Sequence, residues 1–278
     1  MRFAVLGSPI AHSKSPALHN AAFQALGLDW QYEAIDVASA DLEEFIRTRS
    51  DQWLGFSLTM PLKRTVMPLL NRTDDLAGLT GSANTIVFDS RRGERIVCGF
   101  NTDVYGVTQA LRHAGVTRLR SVRLLGGGAT AASALVAVAQ LGARRVVVAL
   151  RSPRKSVVLL ELGEKLGIDV ELAHFGAIDD GVIPDAVIST IPGGAELELS
   201  FNEATRRQAV LFDVAYDPWP TPLAAAWIEA GGTVVSGLEM LANQALIQLR
   251  IFITGDPDVP VPNEAAVFAA MRAAITLE

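Results

Sequence analysis

Cysteine is nearly missing from this sequence. Cys98 stands alone, so no internal disulfide can close, and one Cys with four His offers no zinc-ligand spacing. A disulfide-stapled secreted domain and a structural zinc module are excluded, and a reducing cytoplasm is the expected compartment. An excess of positive charge is missing too. Lys and Arg number 24 against 30 Asp and Glu, a net charge of −6, which argues against nucleic acid or an anionic membrane as the main partner. Long hydrophobic runs are absent as well. The opening Met1 to Gly7 is a short apolar run ending in glycine, so no secretion signal is expected. The one long uncharged interval, Leu124 to Ala143, carries four glycines with Thr130, Ser133 and Gln140, and reads as a buried strand, turn and helix rather than a membrane span. Internal repeats and low-complexity tails are also lacking.

What is present is apolar and periodic. Half the residues are hydrophobic and 19% are charged, enough for a sizeable core, and 278 residues suggest two domains at roughly 150 residues each. Apolar runs alternate with segments of helical period, the pattern of βαβ units and thus of an α/β protein with largely parallel sheets. Strands are predicted at Phe3 to Leu6, Trp30 to Ala34, Gly55 to Leu58, Ala83 to Phe88 and Arg95 to Phe100, the last two joined by the polar tip Asp89 to Glu94. A bridging helix over Val104 to His113 leads to a second set at Val122 to Leu125, Arg145 to Leu150, Asp169 to Leu172, Ala186 to Thr190, Val210 to Val214 and Thr233 to Val235. Two helices, Leu238 to Thr254 and Asn263 to Ile275, have no strand after them and are expected to pack back on the first domain. The expected division is 1–103 completed by 238–278, and 104–237.

Gly126-Gly127-Gly128-Ala129-Thr130-Ala131 follows a predicted strand and opens a predicted helix, the setting that a dinucleotide fingerprint requires. Glycines let the backbone turn tightly and approach a pyrophosphate, whose charge the helix N-terminal amides then hold. The plainer reading is a connector needed only for strand-to-helix packing. An acid at the end of the next strand would bind the ribose 2′-hydroxyl of NAD. Instead Leu150-Arg151-Ser152-Pro153-Arg154-Lys155 places cations there, which suits the 2′-phosphate of NADP; three cations at a helix start also run against its dipole.

The first domain carries a polar constellation. Ser13 and Ser15 precede a helix start with Pro16, where two hydroxyls could grip a carboxylate, although Ser15 reads first as a plain N-cap. His19 and Asn20 read as helix-surface residues. Thr59 falls at a cap position and Lys63 in the first turn that follows, at the carboxyl end of a strand, where open α/β sheets bind ligands. Asn84 lies in an apolar stretch, and Asp103 either caps the bridging helix or meets Lys63 as a proton-transfer pair, the carboxylate orienting the amine.

These segments form an ordered series: Gly7 to Pro16 with His19-Asn20, Ser57 to Lys63, Gly81 to Thr85, Asn101 to Gly106, the glycine loop, Ser189 to Gly193, Asp213 to Pro218 with Thr221 to Leu223, and Gly237 to Leu241 with Gln244. In that order, along nearly the whole chain, they resemble the shikimate dehydrogenase family. The resemblance implies an N-terminal, mostly parallel α/β substrate domain and a Rossmann-type NADP-binding domain. It implies reversible NADP-dependent reduction of 3-dehydroshikimate to shikimate, on the route to chorismate and the aromatic amino acids. By the same resemblance Ser13 and Ser15 bind the substrate carboxylate, Thr59, Lys63, Asn84, Asp103 and Gln244 surround the ring hydroxyls, and Tyr216 lies near the carboxylate. Lys63 and Asp103 match the catalytic pair, Lys63 giving a proton to the carbonyl oxygen as hydride arrives. The implied cofactor contacts are Gly126, Gly127, Gly128, Ala129, Thr130, Arg151, Ser152, Arg154, Lys155, Thr190 and Gly237, with no metal. The expected partner is a small-molecule substrate, not nucleic acid or membrane, with a homodimer as the assembly to test.

Three residues depart from the family pattern. Ser57 and Leu150 each replace an asparagine and Gly127 replaces an alanine; the change at 150 removes an adenosine-ribose contact. The Ser-x-Ser pair resembles shikimate-specific members, whereas quinate-using relatives often have threonine at the second place. Two alternatives stand beside this reading: a quinate/shikimate paralogue using NAD or a related cyclic hydroxy acid, and a nonenzymatic NADP-dependent regulator, against which the retention of Lys63 and Asp103 speaks.

Overall fold

The computed structural model describes residues 1–89, 95–152, 156–178, 181–195 and 199–276. The chain divides into two compact units, one of Met1–Thr102 with Leu241–Glu278 and one of Asp103–Met240.

The first unit opens with β1 (Arg2–Gly7), α1 (Ser15–Ala25), β2 (Gln31–Asp36), α2 (Leu42–Arg47) and β3 (Trp53–Leu58). Next come α3 (Leu62–Thr65), β4 (Arg72–Thr73), α4 (Asp75–Thr80), β5 (Thr85–Asp89) and β6 (Ile96–Phe100). Their sheet runs β2-β1-β3-β5-β6-β4. Parallel β2 and β3 flank β1 on both sides, which is why Phe3 to Leu6 is apolar without alternation. β5 is antiparallel to both β3 and β6, the hairpin-like pairing expected; residues 90–94 of its tip lie outside the described residues. β4 went unforeseen because two exposed edge residues carry no apolar period.

The second unit begins with α5 (Asp103–His113) and then alternates β7 (Ser121–Leu125), α6 (Ala129–Gln140), β8 (Arg145–Leu150), α7 (Val157–Leu166) and β9 (Asp169–His174). β10 (Ala186–Ser189), α8 (Glu203–Gln208), β11 (Val210–Asp213), α9 (Pro222–Glu229) and β12 (Val234–Ser236) complete it. All strands are parallel in the order β12-β11-β10-β7-β8-β9. This is the doubly wound nucleotide-binding order, reversing between β7 and β10, where such sheets open a ligand crevice.

α10 (Gly237–Thr254) starts in the second unit, and its residues from Leu241 belong with α11 (Glu264–Ala274) to the first. These helices do pack back: α11 lies against α1, and Phe252 of α10 packs against Phe3 with ring centroids 4.6 Å apart and planes tilted by 40°. Along β1, Phe3 therefore faces α1 and α10, while Ala4 and Leu6 join the opposite core with Leu42, Ile46, Phe56 and Leu62. Each such fully buried side chain contributes roughly 1.5–3 kcal/mol, so both faces of the sheet are held. Among the described residues no helix is long and apolar enough to cross a membrane.

Candidate active site

In the first unit the sequence-predicted residues collect at strand ends. A Cβ on Gly7 would stand 2.5 Å from Thr59 Cγ2, so glycine at the end of β1 lets the Thr59-Met60 segment close over it. The amide of Thr59 donates to Leu6 O (2.9 Å) and that of Ser8 to Met60 O (3.1 Å). Ser15 is not the N-cap. Lys14 already has helical angles and occupies that place, so Ser15 becomes the buried first residue of α1, and its orphan amide donates to Ser13 Oγ at 3.3 Å. The two serines of the predicted pair are thus adjacent through this bond. Thr59 is no cap either, since Pro61 holds that place on α3. Lys63 does lie in the first turn, but α3 has four residues and its dipole is too slight to make a lysine there informative.

The backbone then ties Lys63 to the next group. Ala83 N donates to Lys63 O (2.9 Å) and Leu58 N to Asn84 O (2.7 Å). Asn84 is buried, and its amide is fully directed: Oδ1 accepts from Thr102 N (2.9 Å) and Thr85 Oγ1 (2.9 Å), while Nδ2 donates to Thr102 Oγ1 (2.9 Å) and Gln244 Oε1 (3.2 Å). Two predicted site residues 160 positions apart are brought together by that last bond. Gln244 Nε2 donates one N–H to Leu241 O (2.8 Å) and has a second to offer. Below this pair runs a buried group that sequence reasoning missed: Gln248, Ser57, Tyr32 and His19. His19 is not on the helix surface; it stacks on Tyr32 with centroids 4.2 Å apart, and burial holds its pKa down at about 4. Asn20 is exposed as expected, yet it makes a two-way bond with the backbone of Tyr32 in edge strand β2. The available signal was one polar residue, Gln248, one turn beyond Gln244 in an otherwise apolar stretch of helix.

Asp103, buried, is the first residue of α5 and of the second unit, whereas Lys63 belongs to the first. Tyr216 is half-buried just after β11. Its neighbour Asp213 has its carboxyl pushed up by burial, against hydrogen bonds from Thr221 Oγ1 (2.6 Å) and Ala215 N (3.2 Å).

The glycine loop separates into distinct duties. Gly126 has φ +104°, and a Cβ there would lie 2.5 Å from Thr190 Oγ1, which itself donates to Leu125 O at 2.8 Å. Gly127 faces Leu150 Cδ2 and Ser156 Oγ, 2.7 and 2.6 Å from where its Cβ would be. Gly128 has nothing among the described residues within 4 Å of that point. It is the exposed N-cap of α6, with no side-chain cap and no acid in the first turn. Ala131 is fully buried where the helix meets the sheet. The three-glycine run therefore fits a pyrophosphate: packing accounts for Gly126 and Gly127, and Gly128 leaves room at the start of α6. At the end of β8 Arg151 and Ser152 are exposed; Arg154 and Lys155 lie outside the described residues. The dipole argument fails for Arg151, because α7 starts only at Val157 with Ser156 as cap. Its place at a strand end is what recommends it. Gly237 begins α10 where a Cβ would run into Val214 O, so packing alone accounts for it.

Residues 5–86 match the family described as the shikimate dehydrogenase substrate binding domain. The chain is 37% identical over 290 aligned residues to "Shikimate dehydrogenase (NADP(+))" of Citrifermentans bemidjiense, covering 98% of this chain and 94% of that one. Among solved structures it is similar to a shikimate 5-dehydrogenase of Mycobacterium fortuitum (40% identity, TM-score 0.80, 98% and 97% of the two chains). It is similar as well to a shikimate 5-dehydrogenase of Thermus thermophilus in complex with NADP(H) and shikimate (29%, TM-score 0.77, 99% of each chain).

Proposed function

The chain belongs to the shikimate dehydrogenase family, and from that membership we infer that it catalyses the reversible NADP-dependent reduction of 3-dehydroshikimate to shikimate. The observation that carries this is likeness over 98% of the chain, joined to a glycine cradle with open space at one helix start. The substrate is a small molecule, on the route to chorismate and the aromatic amino acids.

In this reading residues 1–103 with 238–278 hold the substrate and 104–237 hold the cofactor. Gly126, Gly127, Gly128, Ala129 and Thr130 would receive the pyrophosphate, and Arg151 with Ser152, followed by Arg154 and Lys155, the 2′-phosphate. NADP, when bound, supplies the hydride. Thr190 and Gly237 serve by shaping: one props the glycine turn, the other lets α10 start against Val214. Ser13 and Ser15 take the substrate carboxylate, with Tyr216 nearby. Asn84 and Gln244 stand at the ring hydroxyls beside Thr59: Gln244 has its second N–H to offer, and Asn84, its own amide spent on Thr102, Thr85 and Gln244, holds Gln244 in place. Lys63 carries the proton given to the carbonyl oxygen, and Asp103 is the other member of the proposed catalytic pair. Compared with a catalyst lacking it, such a positioned proton donor is worth about 10²–10⁴ in rate. The cytoplasm remains the proposed compartment, since a chain with Cys98 as its one cysteine gains nothing from oxidising surroundings.

The experiment is absorbance at the nicotinamide band with shikimate or quinate offered against NADP or NAD. Rapid reduction with shikimate and NADP alone supports the reading. Turnover of quinate or use of NAD moves it to the paralogue, and silence in all four to the regulator.

A further inference from the structure

We propose that Gln248, acting through Thr85, is a positioning residue that sets the orientation of the Asn84 amide and the seat of Gln244. The proposal rests on the reading that Asn84 and Gln244 face the substrate. Gln248 is buried, and its side chain uses its full capacity of four hydrogen bonds. Oε1 accepts from Ser57 Oγ (2.9 Å) and pairs with His19 Nε2 (3.1 Å); Nε2 donates to Asn84 O (3.2 Å) and Thr85 Oγ1 (3.0 Å).

The direction of these bonds is forced from one end. Tyr32 OH lies 2.6 Å from Ser57 Oγ and donates to it, and the Ser57 proton goes on to Gln248 Oε1. The low pKa of His19 keeps its ring neutral, and the carbonyl-type oxygen of Gln248 can only accept, so Nε2 carries the ring proton. Its Nδ1 accordingly has no hydrogen and no partner. Asn84 O is a backbone carbonyl and can only accept, so Nε2 of Gln248 and not Oε1 must face it, which leaves Oε1 to Ser57 and His19 and puts the second N–H on Thr85 Oγ1. Thr85, receiving a proton, spends its own on Asn84 Oδ1 (2.9 Å). Together with Thr102 N, which donates to the same oxygen (2.9 Å), this bond keeps Asn84 Nδ2 turned toward Gln244 Oε1, one helical turn before Gln248 on α10. Ser57, a departure from the family's asparagine, is thus a working member of the relay. Both glutamines rise from one helix, so Gln248 also fixes the register of α10 against β3 and β5.

Three variants test this: Gln248→Met, Thr85→Val, and Thr85→Ser, which keeps the hydroxyl. Steady-state kinetics with shikimate and NADP should show KM for shikimate raised on the order of tenfold in the first two, about one misdirected hydrogen bond's worth. KM for NADP should stay where it is, and Thr85→Ser should behave as the parent. The Asn84 side-chain NH2 signals, followed by NMR in the same proteins without substrate, should exchange with solvent faster in Thr85→Val and not in Thr85→Ser. If Gln248→Met fails to fold, the Thr85 pair decides alone. Unchanged KM for shikimate together with unchanged Asn84 exchange in Thr85→Val overturns the proposal. A parent protein inactive with shikimate would sink the functional reading, while the NMR signals would still decide the positioning.

Discussion

The first unit builds its candidate site from side chains and the second from backbone. Asn84 and Gln244 come from positions 160 apart and are held by a buried network in which every amide has an assigned direction. The proposed cofactor cradle is Gly126 to Ala131, six consecutive residues, and the groups it would use are backbone N–H donors at the uncapped start of α6. A ring with several hydroxyls needs donors and acceptors in fixed places, which side chains supply. A pyrophosphate needs only charge-compensating amides and room. The two sites should therefore fail differently when disturbed.

The largest expected effect is at Lys63. Lys63→Ala should lower kcat by on the order of a hundredfold or more with KM for shikimate little changed, the mark of a group needed in the transition state. Steady-state rates check this, and near-normal kcat would remove Lys63 from the mechanism. Next is Arg151→Ala, which should weaken NADPH about tenfold while leaving NADH nearly untouched, because one charged hydrogen bond to a phosphate is lost. Equal weakening of both, read from nicotinamide fluorescence titrations, would refute the 2′-phosphate assignment. Gly127→Ala should cost about 1–3 kcal/mol in urea unfolding, since its Cβ would crowd Leu150 and Ser156. Adding Leu150→Ala should recover part of that loss, so the double variant is more stable than the two single changes summed.

The network of the first unit also carries a pH signature. His19 titrates near 6.5 when unfolded and at about 4 when folded. Because the unfolded chain takes up the proton first, stability falls as pH drops from 6.5 toward 4, by about 3 kcal/mol for this group, and is unaffected above 6.5. His19→Asn, which keeps a donor and cannot titrate there, should flatten that part of a urea-unfolding series. An identical slope in both proteins would show that His19 is not the group responsible.

Legibility in the sequence followed the same divide. The strand, glycine loop and helix from Ser121 to Gln140 could be read in place, because a local motif carries its geometry with it. β1 and β7, central parallel strands, announced themselves as unbroken apolar runs. Ser15 was misread as a cap because one residue's shift in where the helix starts cannot be seen in Ser-x-Ser-Pro. His19 was misread as surface because its burial depends on α10, which arrives more than 200 residues later. Gln248 was passed over for the same reason: a polar residue in an apolar helix declares its role only when its partners from β3 and β5 are in place.

Titration of NADPH into Gly128→Ala is the most direct test of a cofactor site made from backbone. Among the described residues nothing lies within 4 Å of a Cβ at 128, so the variant should unfold in urea within about 0.5 kcal/mol of the parent. NADPH should nevertheless bind at least about tenfold more weakly, because a methyl group would stand where the pyrophosphate must approach. Parent-like NADPH affinity in a stable Gly128→Ala protein would contradict the account.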